Sequence, residues 1–304
     1  MKSHFPIRAV LALAAALVLW SSAFAGIRVG LTAYPPAQLA LLRFLVASLV
    51  LTIYAGVAHF RRPQLRDLPA LALTGGLGIT FYNIALNYGE LTVSAGAASL
   101  LIASAPIWTA LLATIALRER LTLWGWSGVF LSFAGVAVIS TGEGGGFRLS
   151  IHALLIVGSA VSAAIYIVMQ KQLLRRYSAL EFTAYSIWFG TLFMVPFGLG
   201  LPHTLTAAPL NTTLAVVYLG IFPGALAYVA WAYVLTHGPA GRTSSYLFLN
   251  PVLAIAVAWL WLGEVPRMMS LLGGAVALAG VVMVNFWGHV SPDGPQTLVA
   301  EAEA

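Results

Sequence analysis

The chain contains no cysteine. Disulfides, thiolate nucleophiles and cysteine-ligated metals are therefore excluded, while the compartment stays open. Charge is scarce as well: Asp, Glu, Lys and Arg make up 8% of the 304 residues, against roughly a quarter in soluble domains. Only two aspartates occur, Asp67 and Asp293, and Glu90, Glu119, Glu143, Glu181 and Glu264 fall at the ends of apolar runs or between them. No carboxylate sits in the middle of such a run, which disfavours proton coupling through a central acid and leaves a dicationic solute without a fixed counter-charge. H-E-x-x-H, G-x-S-G and paired aspartates within apolar segments are also missing, and the histidines lie at loops or run ends, so no enzyme, metal or cofactor is expected.

What fills the chain instead is apolar. Hydrophobic residues make up 60% and the mean hydropathy is +0.92, the composition of a polytopic all-α integral membrane protein. A bilayer-crossing helix needs about 20 mostly apolar residues with its backbone satisfied internally. Ten such segments are read, near 8–29, 36–58, 68–88, 95–116, 122–141, 152–171, 180–200, 212–235, 241–262 and 268–288. The polar tail over 289–304 is read as disordered. Lys2, the run from Ala9 to Leu19 and Ala23-Phe24-Ala25 imitate a secretory signal, but the first segment has a counterpart later in the chain, so it is read as a permanent helix.

The formal net charge of +6 sorts by side rather than marking a nucleic-acid partner. If the spans alternate from an inside N-terminus, Lys2, Arg8, Arg61, Arg62, Arg66, Arg118, Arg120, Lys171, Arg175, Arg176 and Arg242 share one side and only Arg148 and Arg267 the other. The positive-inside rule then places both termini in the cytoplasm of a bacterial inner membrane.

The chain also resembles itself. Residues 89–140 fall without a gap on 234–285 at an offset of 145: Ala95, Gly96, Ser99, Pro106, Ala113, Leu117, Glu119, Gly128, Ala134, Gly135 and Val136 meet Ala240, Gly241, Ser244, Pro251, Ala258, Leu262, Glu264, Gly273, Ala279, Gly280 and Val281. At an offset of 142 the first two segments fall on the sixth and seventh, so two five-span units are expected, 1–141 and 142–288. An odd number of spans starts the second copy on the opposite side of the membrane. Inverted repeats around a central cavity are a known architecture of secondary transporters.

Trp20-Ser21-Ser22 in the first segment, Arg43-Phe44 in the second, Ala105-Pro106 followed by Glu119, and Asn250-Pro251 followed by Gly263-Glu264, resemble the EamA-type drug/metabolite transporters over essentially the whole chain. The resemblance implies a basket of helices whose cavity is lined mainly by spans 1, 3, 4, 6, 8 and 9, commonly serving export of amino acids and other small metabolites.

Polar groups at membrane depth are costly and mark candidate sites. Asn83 and Asn87, four residues apart, share one helix face with Tyr82 beside it, and their counterparts near Tyr228 and Trp231 are aromatic or small. One reading gives the cavity an amide wall and an aromatic wall; the other has the asparagines bond neighbouring helices. Trp20, Phe24, Tyr166 and Tyr246 add aromatic faces for stacking, and Ser99, Ser244 and Asn250 add hydroxyl and amide groups. Pro106, Pro223 and Pro251 bend helices, as hinges or as static kinks. Arg43 lies inside the second span opposite Tyr185. It either holds the fold, paired with Glu90, or takes a substrate carboxylate. Glu119 and Glu264 occupy equivalent loops and are read as gating or structural residues that cap helix starts. Trp124, Trp126, Trp259, Trp261 and Trp287 read as interfacial belt.

The expected function is transport, with export favoured, of small neutral or zwitterionic metabolites, amino acids first, by alternating access and without a buried acid. A sodium- or proton-coupled ten-helix inverted-repeat transporter and a non-transporting scaffold or receptor are the alternatives. The expected partners are a small-molecule substrate and the bilayer, without nucleic acid; the oligomeric state is left open, a monomer being one option.

Overall fold

A computed structural model describes residues 6–58, 60–116, 122–143, 150–237 and 245–287. Everything regular among them is helical. We label the helices α1 (Ile7–Gly30), α2 (Pro36–Ala58), α3 (Leu65–Gly89), α4 (Ala95–Ile102), α5 (Ala105–Ala116), α6 (Leu123–Glu143), α7 (Ile151–Leu173), α8 (Ala179–Met194), α9 (Leu201–Ala207), α10 (Leu210–Thr236), α11 (Asn250–Leu262) and α12 (Met268–Trp287). Five of them, α1, α2, α3, α7 and α10, are long and apolar enough to cross a bilayer. A sixth candidate is the pair 179–198 and 201–207, bent by 83°. That bend follows from Pro196 and Pro202 flanking Gly200, whose left-handed φ of +80° suits a residue without Cβ. Large apolar side chains stay exposed on outward faces, among them Leu49, Ile53 and Val57 of α2 and Leu260 of α11, as an apolar solvent allows. Trp124, Trp126, Trp259, Trp261 and Trp287 are all exposed.

Two of the expected spans are interrupted. The run expected as one helix over 95–116 breaks at Ala103–Ser104, between α4 and α5, and the run over 241–262 is a 3-10 segment over Ser245–Leu249 before α11 begins at Asn250. The cause is shared: Pro106 and Pro251 stand second in α5 and α11, where a missing N–H costs nothing but the preceding turn cannot remain α-helical. Ser104 N–H donates to the Leu101 carbonyl and Ile107 N–H to that of Ser104, three residues back in each case. Two further departures from α-geometry are also paired. Gly75–Phe81 in α3 and Gly220–Leu226 in α10 are both π-helical, and they lie 145 positions apart.

The α6/α12 pair forms the most extensive helix contact. It rests on four glycines that let backbones touch. A Cβ at Gly135 would meet Ala277 N at 2.4 Å and Gly273 O at 2.5 Å, and one at Gly280 would meet Gly128 O at 2.4 Å. Since Gly128 aligns with Gly273 and Gly135 with Gly280, the contact is reciprocal, the pattern a twofold axis imposes on equivalent surfaces. Ser132 closes the seam by donating to the Ala277 carbonyl at 2.8 Å.

The π-segments are also held reciprocally. A Cβ at Gly75 would meet Ser186 O and Phe189 Cβ, and one at Gly220 would meet Arg43 O and Val46 Cβ. The structural counterpart of Arg43 is thus Ser186, one residue beyond the Tyr185 that an ungapped offset of 142 selects. Between α2 and α8 the two halves are out of register by one, which no composition signal records.

Candidate functional site

The helix breaks and bulges surround a cavity. Counting the open space at its mouth, about 980 Å³ is unoccupied by atoms. Trp20, Phe24 and Ile27 come from α1, Gly78, Tyr82 and Leu86 from α3, Ser99 and Ile102 from α4, Pro106 from α5, Tyr166 from α7, Tyr228 and Trp231 from α10, and Asn250 from α11, with Arg43 reaching in from α2. These are the first, third, fourth, sixth, eighth and ninth expected spans, joined by the second. The π-segment of α3 puts Gly78 on the wall, where a Cβ would lie 2.1 Å from the Tyr166 ring. Any side chain there would displace that aromatic.

Aromatic rings form a continuous surface. Trp20 packs on Tyr228 at 5.4 Å between centroids and on Trp231 at 5.6 Å. Tyr228 in turn meets Tyr166 at 6.3 Å and Phe44 at 6.5 Å. These are edge or tilted contacts of the favoured kind. Asn250 is tied to α1, where the Ser21 hydroxyl donates to its carbonyl at 3.2 Å and lies 3.3 Å from its Oδ1. Ser99 turns its hydroxyl to the Gly96 carbonyl at 2.6 Å, which leaves an apolar face toward the cavity.

Asn83 and Asn87 do not line this space. Both are fully buried. The Asn83 amide donates to the Ile79 carbonyl at 2.8 Å and its Oδ1 accepts from Arg43 Nη1 at 3.1 Å. Asn87 donates to the Pro36 carbonyl at 2.9 Å, joining α3 to the start of α2. The shared face exists but looks toward α2, so the first asparagine orients the wall arginine and the second fastens helices. Arg43 pairs with that amide and not with Glu90, whose carboxylate oxygens are buried without a hydrogen-bond partner. Tyr246 lies beside the site without forming its wall. Ser244 and Glu119 lie outside the described residues. Pro223 is buried within the π-segment of α10 and Pro251 in the first turn of α11.

The last turn of α1 carries an ion pair that sequence could not join. At Gly263 a left-handed φ of +67° ends α11 and turns the chain, bringing Glu264 to the C-terminal end of α1. Arg28 Nη2 stands 2.9 Å from Glu264 Oε1, and Arg28 Nε donates to the same oxygen at 3.0 Å. Arg28 Nη1 donates to the Glu90 carbonyl at 2.7 Å, and Glu264 Oε2 accepts from Ala95 N, the first residue of α4, at 3.3 Å. Glu264 therefore caps a helix, as expected of its type, but one from the other half of the chain. At the opposite end of α3, Asp67 pairs with Arg176 and accepts from Tyr177 at 2.9 Å, and Glu181 accepts from Arg61 N at 2.9 Å. These bonds fix the 60–67 segment to the α7–α8 turn.

Comparison with known proteins gives one family twice: the EamA-like transporter model matches residues 7–141 and again 150–286. A "probable terminal-alkyne amino-acid exporter" of Streptantibioticus cattleyicolor is 42% identical over 278 residues, covering 91% of this chain and 93% of that protein. An uncharacterised transporter of Bacillus subtilis, YdfC, is 42% identical over 264 residues, 86% of each chain. An uncharacterised transporter of Archaeoglobus fulgidus is 32% identical, covering 90% of this chain and 96% of that one. A protein of known crystal structure shares the fold, with a TM-score of 0.61 at 20% identity over 99% of this chain and 100% of that one.

Proposed function

The chain belongs to the EamA-like transporter family, and from that premise we propose that it exports small neutral or zwitterionic amino acids across a bacterial inner membrane. The observation that carries this reading is the cavity, walled by Trp20, Phe24, Tyr82, Tyr166, Tyr228 and Trp231 with Arg43 as its charged wall residue. An amino acid with an apolar side chain matches it: the rings take the hydrocarbon and the polar groups take the backbone end. The name carried by the Streptantibioticus relative supports the same substrate class.

Ten spans in two inverted five-helix repeats would give the cavity its means of moving a solute. Support comes from the doubled family match, the π-segments 145 positions apart, and the reciprocal glycine seam of α6 and α12. With both termini cytoplasmic, as the basic residues argue, the Arg28–Glu264 pair lies at the periplasmic end and acts as its latch. Alternating access would then exchange that closure for one at the cytoplasmic end. Among the described residues no acidic side chain lines the cavity, which favours facilitated movement over coupling through a central acid.

The test is counterflow in proteoliposomes. Vesicles loaded with unlabelled leucine and diluted into labelled leucine should accumulate label transiently without any imposed ion gradient. Accumulation only under a proton or sodium gradient would replace facilitation by coupling, and none for any amino acid would remove the substrate class.

A further inference from the structure

Among the described residues two polar groups of the cavity wall lack a partner. Arg43 Nε and the Tyr166 hydroxyl are both buried, and neither makes a hydrogen bond. Both can donate; the arginine is a donor only, while the hydroxyl can also accept. The other unpartnered side-chain atoms, on Asn87, Glu90, Gln170 and Thr183, belong to residues that do not line the cavity. Leaving a buried donor unsatisfied is costly, more so when it is charged, so the wall is arranged for a group that it lacks.

The guanidinium is also fixed in place. Nη1 is held by Asn83 Oδ1 at 3.1 Å, and the head lies 5.2 Å from the Phe44 ring centroid, so the fork cannot turn freely. Arg43 is 3% exposed, and Glu90, the acid that sequence offered as its partner, does not bond it. Arg43, Tyr166 and Tyr228 line the same cavity, and the Tyr228 ring meets that of Tyr166 at 6.3 Å and those of Phe44 and Trp20 at 6.5 and 5.4 Å. The wall therefore holds a fixed positive fork and a hydroxyl without a partner. Trp20 and Trp231 line the same cavity.

We propose that Arg43, assisted by Tyr166, is the carboxylate-recognition site of this cavity, so that the substrates are monocarboxylates with an apolar tail, α-amino acids among them, and the amine is dispensable. A carboxylate is an acceptor with about four lone-pair sites and meets arginine in a planar pair. The apolar tail lies along Trp20 and Trp231. A cation without a carboxylate would face the guanidinium and is rejected by like charge.

The proposal rests on the cavity being the transport site, and the experiment separates the two. Purified wild-type protein in lipid nanodiscs is titrated with four probes of one skeleton: leucine, 4-methylpentanoate, leucinamide and 3-methylbutylamine, with binding followed calorimetrically. Leucine and 4-methylpentanoate should bind, with leucinamide and the amine weaker by about tenfold to a hundredfold, the range of a charged hydrogen-bonded pair. Arg43→Gln should abolish that preference, and Arg43→Lys, which keeps the charge but not the fork, should keep part of it. The wild-type comparison stands even if the Arg43 variants do not fold. Equal binding of leucine and leucinamide would overturn the carboxylate assignment while leaving the transport reading intact. Silence of wild-type protein toward all four probes would overturn both.

Discussion

Replacing Gly135 by alanine adds one methyl group where the α6/α12 seam has no room for it. The new Cβ would lie 2.4 Å from Ala277 N and 2.5 Å from Gly273 O, both backbone atoms that cannot rotate away. Carbon contacts become comfortable only near 3.5 Å, so the helices must part by about 1 Å. Overpacking of this sort costs roughly 1–3 kcal/mol. Separation also stretches the Ser132–Ala277 hydrogen bond, 2.8 Å in the parent, whose loss adds about 1 kcal/mol. In a chain of this length a change of that size should lower the melting temperature in detergent by about 3–6 °C. Gly280→Ala, whose Cβ meets Gly128 O at 2.4 Å, should match it, because the contact is reciprocal. Gly56, with nothing within 4 Å of an added Cβ, is the control: its alanine variant should melt at or slightly above the parent, since alanine favours helix. The assay is fluorescence-detected size exclusion after heating. Gly135→Ala and Gly280→Ala melting within about 1 °C of the parent would refute the close-contact reasoning, and unequal losses would refute its reciprocity.

Three more perturbations follow from the site. Glu264→Gln should move the melting temperature little, since both partners of the Arg28 pair are partly exposed and such pairs contribute about 0–1 kcal/mol, yet it should change leucine flux; a double-mutant cycle with Arg28→Ala should be non-additive, and simple additivity would dissolve the latch. Glu90 follows the last residue of α3, and burial holds its carboxyl well above the usual carboxylate range, with Arg28 acting the other way and Glu264 and Arg43 following. A raised folded-state value means stability is full below the ordinary carboxylate pKa and falls as pH rises toward the folded one, so Glu90→Gln should flatten that decline in a melting-temperature series, and an unchanged slope would show that Glu90 is ionised and partnered. Asn87→Ala should lower stability by about 1–2 kcal/mol through loss of the Pro36 bond without changing the leucine Kd, whereas Asn83→Ala, which frees the Arg43 fork, should weaken leucine binding; equal effects on affinity would undo the distinction.

The reach of the sequence has physical limits that these residues mark. Helical class, the duplication and most of the cavity's aromatics were legible, because hydropathy, register and the cost of polar groups in lipid act locally along the chain. The π-segments were not, since Gly75–Phe81 and Gly220–Leu226 look like ordinary apolar helix and owe their widening to the helices packed on them. The asparagine face was legible but its direction was left open between cavity and neighbouring helix: periodicity gives which residues share a face, and rotation about the helix axis is set by neighbours. The Arg28–Glu264 pair joins residues 236 positions apart, and only assembly of the two halves could reveal it. Arg43 was identified by its isolation among apolar residues, while its partner, Asn83, stands 40 positions on in α3 and meets it only once α2 and α3 pack.

Because the chain has no cysteine, a single engineered thiol reports access without background. Ser99→Cys, an isosteric change on the cavity wall, should be modified by a membrane-impermeant maleimide applied to either face of sealed, oriented vesicles, and leucine should slow the reaction from both. Modification from one face alone, indifferent to leucine, would contradict a cavity that opens alternately to the two sides.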